Sequence, residues 1–219
     1  MTIIKNHPQP EARMMIVGSW ALTLLCGLTA FLNGVSVVIA LAAGGALALG
    51  GSLMLRGSPA FARIGAAQAL VGQGIVLNAT LTGHAWQIDM HMMYFALLAT
   101  VVVLNDIPAI LAAAAMVALH HLTLTFIMPG LVFPSTDLAS NIPRTVVHAA
   151  ILMVETGALV AAVATRHRLD AGIRAQNAEL ESARAQANGD RQRAEALAAR
   201  SDEAARSADL ARTEAEAAL

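Results

Sequence analysis

Met14–Leu32 reads MMIVGSWALTLLCGLTAFL, an uncharged run long enough, as a helix, to cross a hydrocarbon core of roughly 30 Å. Five further apolar runs follow: Val35–Leu55, Ala60–Leu81, Ile88–Leu104, Ile107–Met128 and Val146–Thr165. The whole chain is 57% hydrophobic and 13% charged, against about a quarter charged in soluble domains, so a water-soluble fold is disfavoured. The expected fold class is all-α, a six-helix transmembrane bundle that continues into a cytoplasmic helix. Two basic residues ahead of the first run give the N-terminus a superficial likeness to a signal peptide. That run is nevertheless long enough to span and others follow it, so it reads as retained. Cys26 is the single cysteine, which excludes a disulfide or a thiolate metal site built within one chain.

Most connections are short. Asn33-Gly34 is a turn signal, Gly57-Ser58-Pro59 punctuates the second junction, and Asn105-Asp106-Ile107-Pro108 separates the fourth and fifth runs. Pro129–Pro143 reads as the one sizeable loop, because Pro129, Pro134 and Pro143 argue against a helix through it. Lys5, Arg13, Arg56, Arg63, Arg166 and Arg168 fall on one side of such a bundle and Arg144 on the other. The positive-inside rule then sets both termini of a multi-pass membrane protein in the cytoplasm.

The chain is two materials joined near residue 166: residues 1–13 form a short cytoplasmic N-terminus, 14–165 the spanning domain and 166–219 a polar cytoplasmic segment. Ten of the 15 acidic and nine of the 14 basic residues lie in that last segment, which has no proline and reads as one long helix. Ile173, Leu180, Ala187, Ala194, Ala208 and Ala215 share one seven-residue phase, and Leu197, Ala204, Ala211 and Ala218 the companion position. Such a seam favours a two-stranded coil and hence a homodimer, although Asp190 and Ser201 interrupt it.

Ionisable side chains inside apolar spans carry a functional expectation because they are costly in lipid. His84, Trp86, Asp89, His91 and Tyr94 crowd the start of the fourth run, His120 and His121 lie late in the fifth, and His148 and Glu155 lie in the sixth. On the assigned topology all fall in the outer half of the bilayer. Imidazole is a common metal ligand and a b-type haem ligand. His91, His121 and His148, with His120 and His84, are therefore the candidate ligands of haem b, or alternatively of copper or zinc. Asp89, Glu155, Tyr94 and Trp86 are candidates to surround them, a carboxylate holding the second ring nitrogen. Met90, Met92, Met93 and Met128 lie nearby, and thioethers would suit Cu(I), though methionines in such runs usually only pack. Adjacent His120 and His121 diverge on a helix, so one site takes at most one of them. His7 and His167 lie outside the spans and are assigned no role. The competing reading of the cluster is a proton-responsive hydrogen-bonded network.

GHAWQIDMHMMYFALLA (Gly83–Ala99), ALHHLTLTFIMPGLVFP (Ala118–Pro134) and VVHAAILMVE (Val146–Glu155) resemble the histidine-containing membrane N-terminal region of bacterial methyl-accepting chemotaxis proteins. Related regions are shared with some sensor kinases and diguanylate cyclases. The likeness covers roughly residues 14–190 and rests on His84, Trp86, Asp89, His91, His120, His121 and His148. It implies a sensory input module that signals through its cytoplasmic helix to an output domain or chemotaxis kinase complex. The kinase-control hairpin of a complete receptor is absent, and the final EAEAAL stops without a capping signal, as in a chain cut short. No nucleophile elbow, phosphate loop or zinc-protease motif is present, so an enzyme is not expected. Nor does any basic patch suggest nucleic acid. The competing expectation is a membrane haem or metal carrier, or an electron-transfer subunit, which leaves the Ala-rich tail unexplained.

Overall fold

The structure, a computed structural model, describes residues 9–217, with side chains as far as residue 213. Lys5, His7, Ala218 and the side chain of Ala215 lie outside the described residues. The order of elements is α1 (Pro10–Leu32), α2 (Val37–Met54), α3 (Pro59–Ala79), α4 (Gln87–Met90), α5 (Met92–Thr100), a 3-10 turn (Val101–Leu104), α6 (Ile107–Ile127), a 3-10 turn (Pro129–Leu131) and α7 (Leu138–Ala217). Among the described residues there is no strand. Six helical segments are long and apolar enough to cross a membrane, which points to a membrane protein: α1, α2, α3, Gln87–Leu104, α6 and α7. The chain divides into two units, Met1–Thr165 and Arg166–Leu219, each described by itself.

Local chemistry sets the helix starts. Ser36 accepts from the Ile39 amide and Ser58 from the Phe61 amide, with Pro59 opening α3 at a position whose N–H has no helical partner. Asp106 caps α6 by accepting from the Ala109 amide at 2.9 Å. Asn105 ahead of it adopts φ 51°, a left-handed conformation that asparagine tolerates better than most side chains. The same Asp106 receives Arg63 Nε from α3 at 2.7 Å, tying two helices together at the end of the bundle away from the histidines.

Helix α3 is the hub, packed against α1, α2, α5 and α6 and buried along most of its length. Buried Gln73 on it donates through Nε2 to Ser19 Oγ of α1 (3.0 Å) and to the Gly44 carbonyl of α2 (2.9 Å), and Ser19 Oγ donates back to the Ala69 carbonyl (2.9 Å). The three helices thus share one buried polar knot in which each group has a partner. Small residues allow this approach. A Cβ on Gly51 would stand 2.6 Å from both Ala69 Cβ and Ile16 Cδ1 and 2.8 Å from the Gly65 carbonyl, whereas one on Gly50 would meet nothing within 4 Å.

Two segments depart from the sequence reading. The loop expected over Pro129–Pro143 ends early: α7 begins at Leu138 and contains Pro143, so the sixth helix starts before Val146. The Asp137 carboxylate accepts from the Ala139 (3.3 Å) and Ser140 (3.0 Å) amides. That cap starts the helix so close to Pro143 that the proline removes only the bond to the Ala139 carbonyl. The fourth run, expected as one helix over Ile88–Leu104, is interrupted at His91 and closes in a 3-10 turn. There the His91 ring donates to the Gln87 carbonyl, the acceptor its own amide would use in a regular helix. The amide turns instead to the Ile88 carbonyl, one residue closer.

In the second unit the side chains of Ile173, Leu180 and Leu197 are exposed on a helix whose charges pair locally, Arg191 with Glu195 (2.8 Å) and Arg193 with Asp190 (3.4 Å).

The packing at Gly51 makes a signed prediction. Gly51→Ala lowers the thermal midpoint of the detergent-purified protein, by the equivalent of about 1–3 kcal/mol for an overpacked contact. Gly50→Ala leaves it unchanged or raises it, since alanine is the better helix former by up to about 1 kcal/mol.

Candidate metal centre

His91 at the start of α5, His121 on α6 and His148 on α7 come together near one end of the bundle. Their ring centres stand 5.6 Å (His91–His121), 5.4 Å (His91–His148) and 5.7 Å (His121–His148) apart, a nearly equilateral triangle. His91 and His121 are buried and His148 is half-buried.

All three rings are oriented in the same way. Nδ1–H of His91 donates to the Gln87 carbonyl (2.9 Å), that of His121 to the Val117 carbonyl (2.9 Å) and that of His148 to the Arg144 carbonyl (2.7 Å). A carbonyl can only accept, so each Nδ1 carries the proton and each Nε2 keeps its lone pair. This is the tautomer a metal ligand needs, held by the kind of backbone contact that usually orients one. The Nε2 atoms of His91 and His121 are buried without any hydrogen-bond partner among the described residues. Leaving such an atom unmet is costly, and a cation shared among the rings would meet it.

Three imidazoles sharing one ion through Nε2 at about 2.0–2.1 Å stand with ring centres about 5–6 Å apart, which matches this triangle. Among the described residues no group of three or more His, Cys, Asp or Glu side chains is drawn in to coordinating distance. The spacing of the ring centres matches three ligands of one ion, and their Nε2 atoms would have to close on a common point to hold it. Phe133 occupies the space beside the rings that a haem b would need, lying parallel to His91 (5.9 Å, 10°) and edge-on to His148 (5.9 Å, 74°). The cavity beside His121 and His148 is about 170 Å³, short of the roughly 300 Å³ at which pockets for larger ligands begin.

Tyr94 packs edge-on against His121 (5.2 Å) and His91 (5.8 Å), and its hydroxyl shares a hydrogen bond of 3.1 Å with His120 Nε2. His120 is thereby turned away from the triangle, as the divergence of adjacent helical residues requires. His84, Trp86 and Asp89 are exposed and do not join the three rings. His84 Nδ1 accepts from the Trp86 amide (3.2 Å), so its second nitrogen is oriented by its own turn. Glu155 lies two turns beyond His148, with one carboxylate oxygen buried and no hydrogen-bond partner for it among the described residues. Met92 and Met128 are more than half exposed and Met90 and Met93 pack against the apolar core, so the thioethers do not face the triangle.

The residues that hold the site closed are amides the sequence reading passed over. Asn78 Nδ2 donates to the carbonyls of Leu131 (3.0 Å) and Val132 (3.4 Å), Gln87 Nε2 to that of Gly130 (2.9 Å) and Asn141 Nδ2 to that of Ser135 (2.7 Å). All three amides are fully buried, and they hold residues 130–135 so that Phe133 covers the rings. An Asn or Gln within or beside an apolar run was the available signal. No protein-family model, curated protein or solved structure matches this chain.

The amide clamps should be visible in exchange. Gln87→Ala together with Asn78→Ala removes hydrogen bonds worth about 1 kcal/mol each in net terms. Backbone amides of residues 131–133 then exchange at least fivefold faster by mass spectrometry, while those of α1 and α2 keep their protection.

Proposed function

We propose that the chain is a sensory module of the bacterial inner membrane, of the chemotaxis-receptor type, whose three-histidine centre binds one transition-metal ion. The observation that carries this reading is the set of three rings from three elements, each with Nδ1 tied to a carbonyl and Nε2 left for a ligand. His91, His121 and His148 would hold the ion. His84, Trp86 and Asp89 have no part in it. Three neutral nitrogen donors with no thioether suit zinc or copper better than a hard cation. The ion, when bound, supplies a shared positive charge that the three lone pairs stabilise.

This chain's own residues supply the rest. The ligands come from α5, α6 and the helix α7, so holding them together biases how α7 packs on its neighbours. Any signal must rest on such a difference in interaction between two states. Backbone from Thr165 to Leu169 is helical, and the exposed Ile173, Leu180 and Leu197 offer a seam for a second copy. On this reading both termini are cytoplasmic, the module is a homodimer, and its output is a cytoplasmic signalling domain or chemotaxis kinase complex.

Elemental analysis and metal titration of the detergent-purified chain test the centre. One zinc or copper ion binds per chain, with affinity reduced at least tenfold in His91→Ala, His121→Ala and His148→Ala and unchanged in His84→Ala. Binding weakens as pH falls, because protons compete for the same lone pairs. A Soret band lost in these variants would replace the ion with haem. Absence of any bound metal would return the cluster to a proton-responsive network.

The coupling is tested separately. Spin labels placed at Leu180 on both copies, in a Cys26→Ser background, change their distance distribution when metal is added. A flexible Gly-Ser insertion after Thr165 abolishes that change. A response that survives the insertion would remove α7 as the carrier.

A further inference from the structure

A second site lies on the other side of Tyr94. A cavity of about 430 Å³ runs between α2, α3 and α6, walled by Ile39, Ile75, Val76, Leu124 and Met128, and His120 lines it. His120 is more than nine-tenths buried. It is also the exception among the clustered histidines: the other three commit Nδ1 to the carbonyl one turn earlier, and His120 makes no such bond among the described residues. Its one hydrogen bond is between Nε2 and the Tyr94 hydroxyl at 3.1 Å. Tyr94 is buried, and this is the only hydrogen bond its hydroxyl makes among the described residues, so the phenol proton must be donated there or go unmet. Nε2 is therefore the acceptor and Nδ1 carries a proton with no partner, on a ring that lines an apolar cavity.

The occupant's chemistry follows. It accepts a hydrogen bond from a neutral imidazole. It is itself uncharged, since the walls carry no charged group and, apart from His120 and the hydroxyls of Ser36 and Thr80, are aliphatic and thioether. It is wide enough for about 430 Å³. It enters from lipid, because Ile39 and Met128 at the edge are 69% and 53% exposed on the apolar flank of the bundle. We infer that this cavity binds a neutral lipid-soluble ring carbonyl compound of the quinone class, its carbonyl oxygen accepting from His120 Nδ1–H. Because Tyr94 also packs on His91 and His121, the bound ring sits one side chain from the three-histidine centre without sharing a ligand with it.

The full chain in quinone-free lipid nanodiscs, titrated with a decyl-substituted benzoquinone, tests the site. The expected result is saturable binding by calorimetry, weakened at least tenfold by His120→Phe, which keeps the ring volume and removes the donor. Ala43→Phe, which fills the cavity from α2 and leaves the His120 donor in place, should weaken binding to a similar degree. Both variants are checked for wild-type circular dichroism, so that one misfolded variant leaves the other informative. Decylbenzene, which lacks the carbonyls, should not compete. The inference is overturned if quinone uptake only follows lipid partitioning, if His120→Phe binds as tightly as the wild type, or if decylbenzene competes equally, which would mark a groove for acyl chains. These outcomes do not depend on whether metal binds.

Discussion

A polar atom buried among apolar helices has to find its partner inside the protein, and this constraint organises the first unit of the chain. Gln73 shows the rule met in full, since its amide nitrogen reaches Ser19 and the Gly44 carbonyl and so specifies how α1, α2 and α3 pack. Sliding any one of them would strand a donor or an acceptor in an apolar interior, which is why a single glutamine can define two interfaces. Glycines at the same interface make the bonds reachable, Gly44 by offering its carbonyl and Gly51 by allowing Ala69 and Ile16 close in.

At the histidine end the rule is met by half. Each of His91, His121 and His148 satisfies Nδ1 within its own turn, so no neighbouring element is needed to orient the ring. What remains is one lone pair per ring, aimed by the helix that carries it. A polar network satisfied on one side only is either a fault or a site, and three rings at 5.4 to 5.7 Å from separate elements argue for a site. The interruption at His91 belongs to the same chemistry, since the ring takes the carbonyl that the backbone amide would have used. His120 carries the same Nδ1–H tautomer but uses the other nitrogen: the Tyr94 hydroxyl takes up its Nε2, which leaves an N–H free where the others leave a lone pair.

Several of these features were legible before any coordinates. The junction signals Gly57-Ser58-Pro59 and Asn105-Asp106-Ile107-Pro108 placed helix starts closely, because proline and turn residues act within a few residues. The clustering of histidines at one level of three runs was visible from spacing alone. Pro143 misled, because its cost depends on where the helix begins and the Asp137 cap moved that start upstream. Trp86 and Asp89 misled for another reason: they share a run with His91, but the turn that carries them points them outward.

The sequence by itself determined that six runs are long and apolar enough to span, that a polar helical tail follows, and that His91, His121 and His148 fall at corresponding levels of the fourth, fifth and sixth runs. Those conclusions rest on length, composition and local bonding, all of which act along the chain. Only the tertiary structure decided which histidines meet, that Phe133 covers them and that a cavity opens behind His120. Periodicity assigns a residue to a face of its own helix but leaves free the rotation of that helix against its neighbours. That rotation is set by contacts between residues far apart in the chain, such as Gln73 with Gly44 and Asn78 with Leu131.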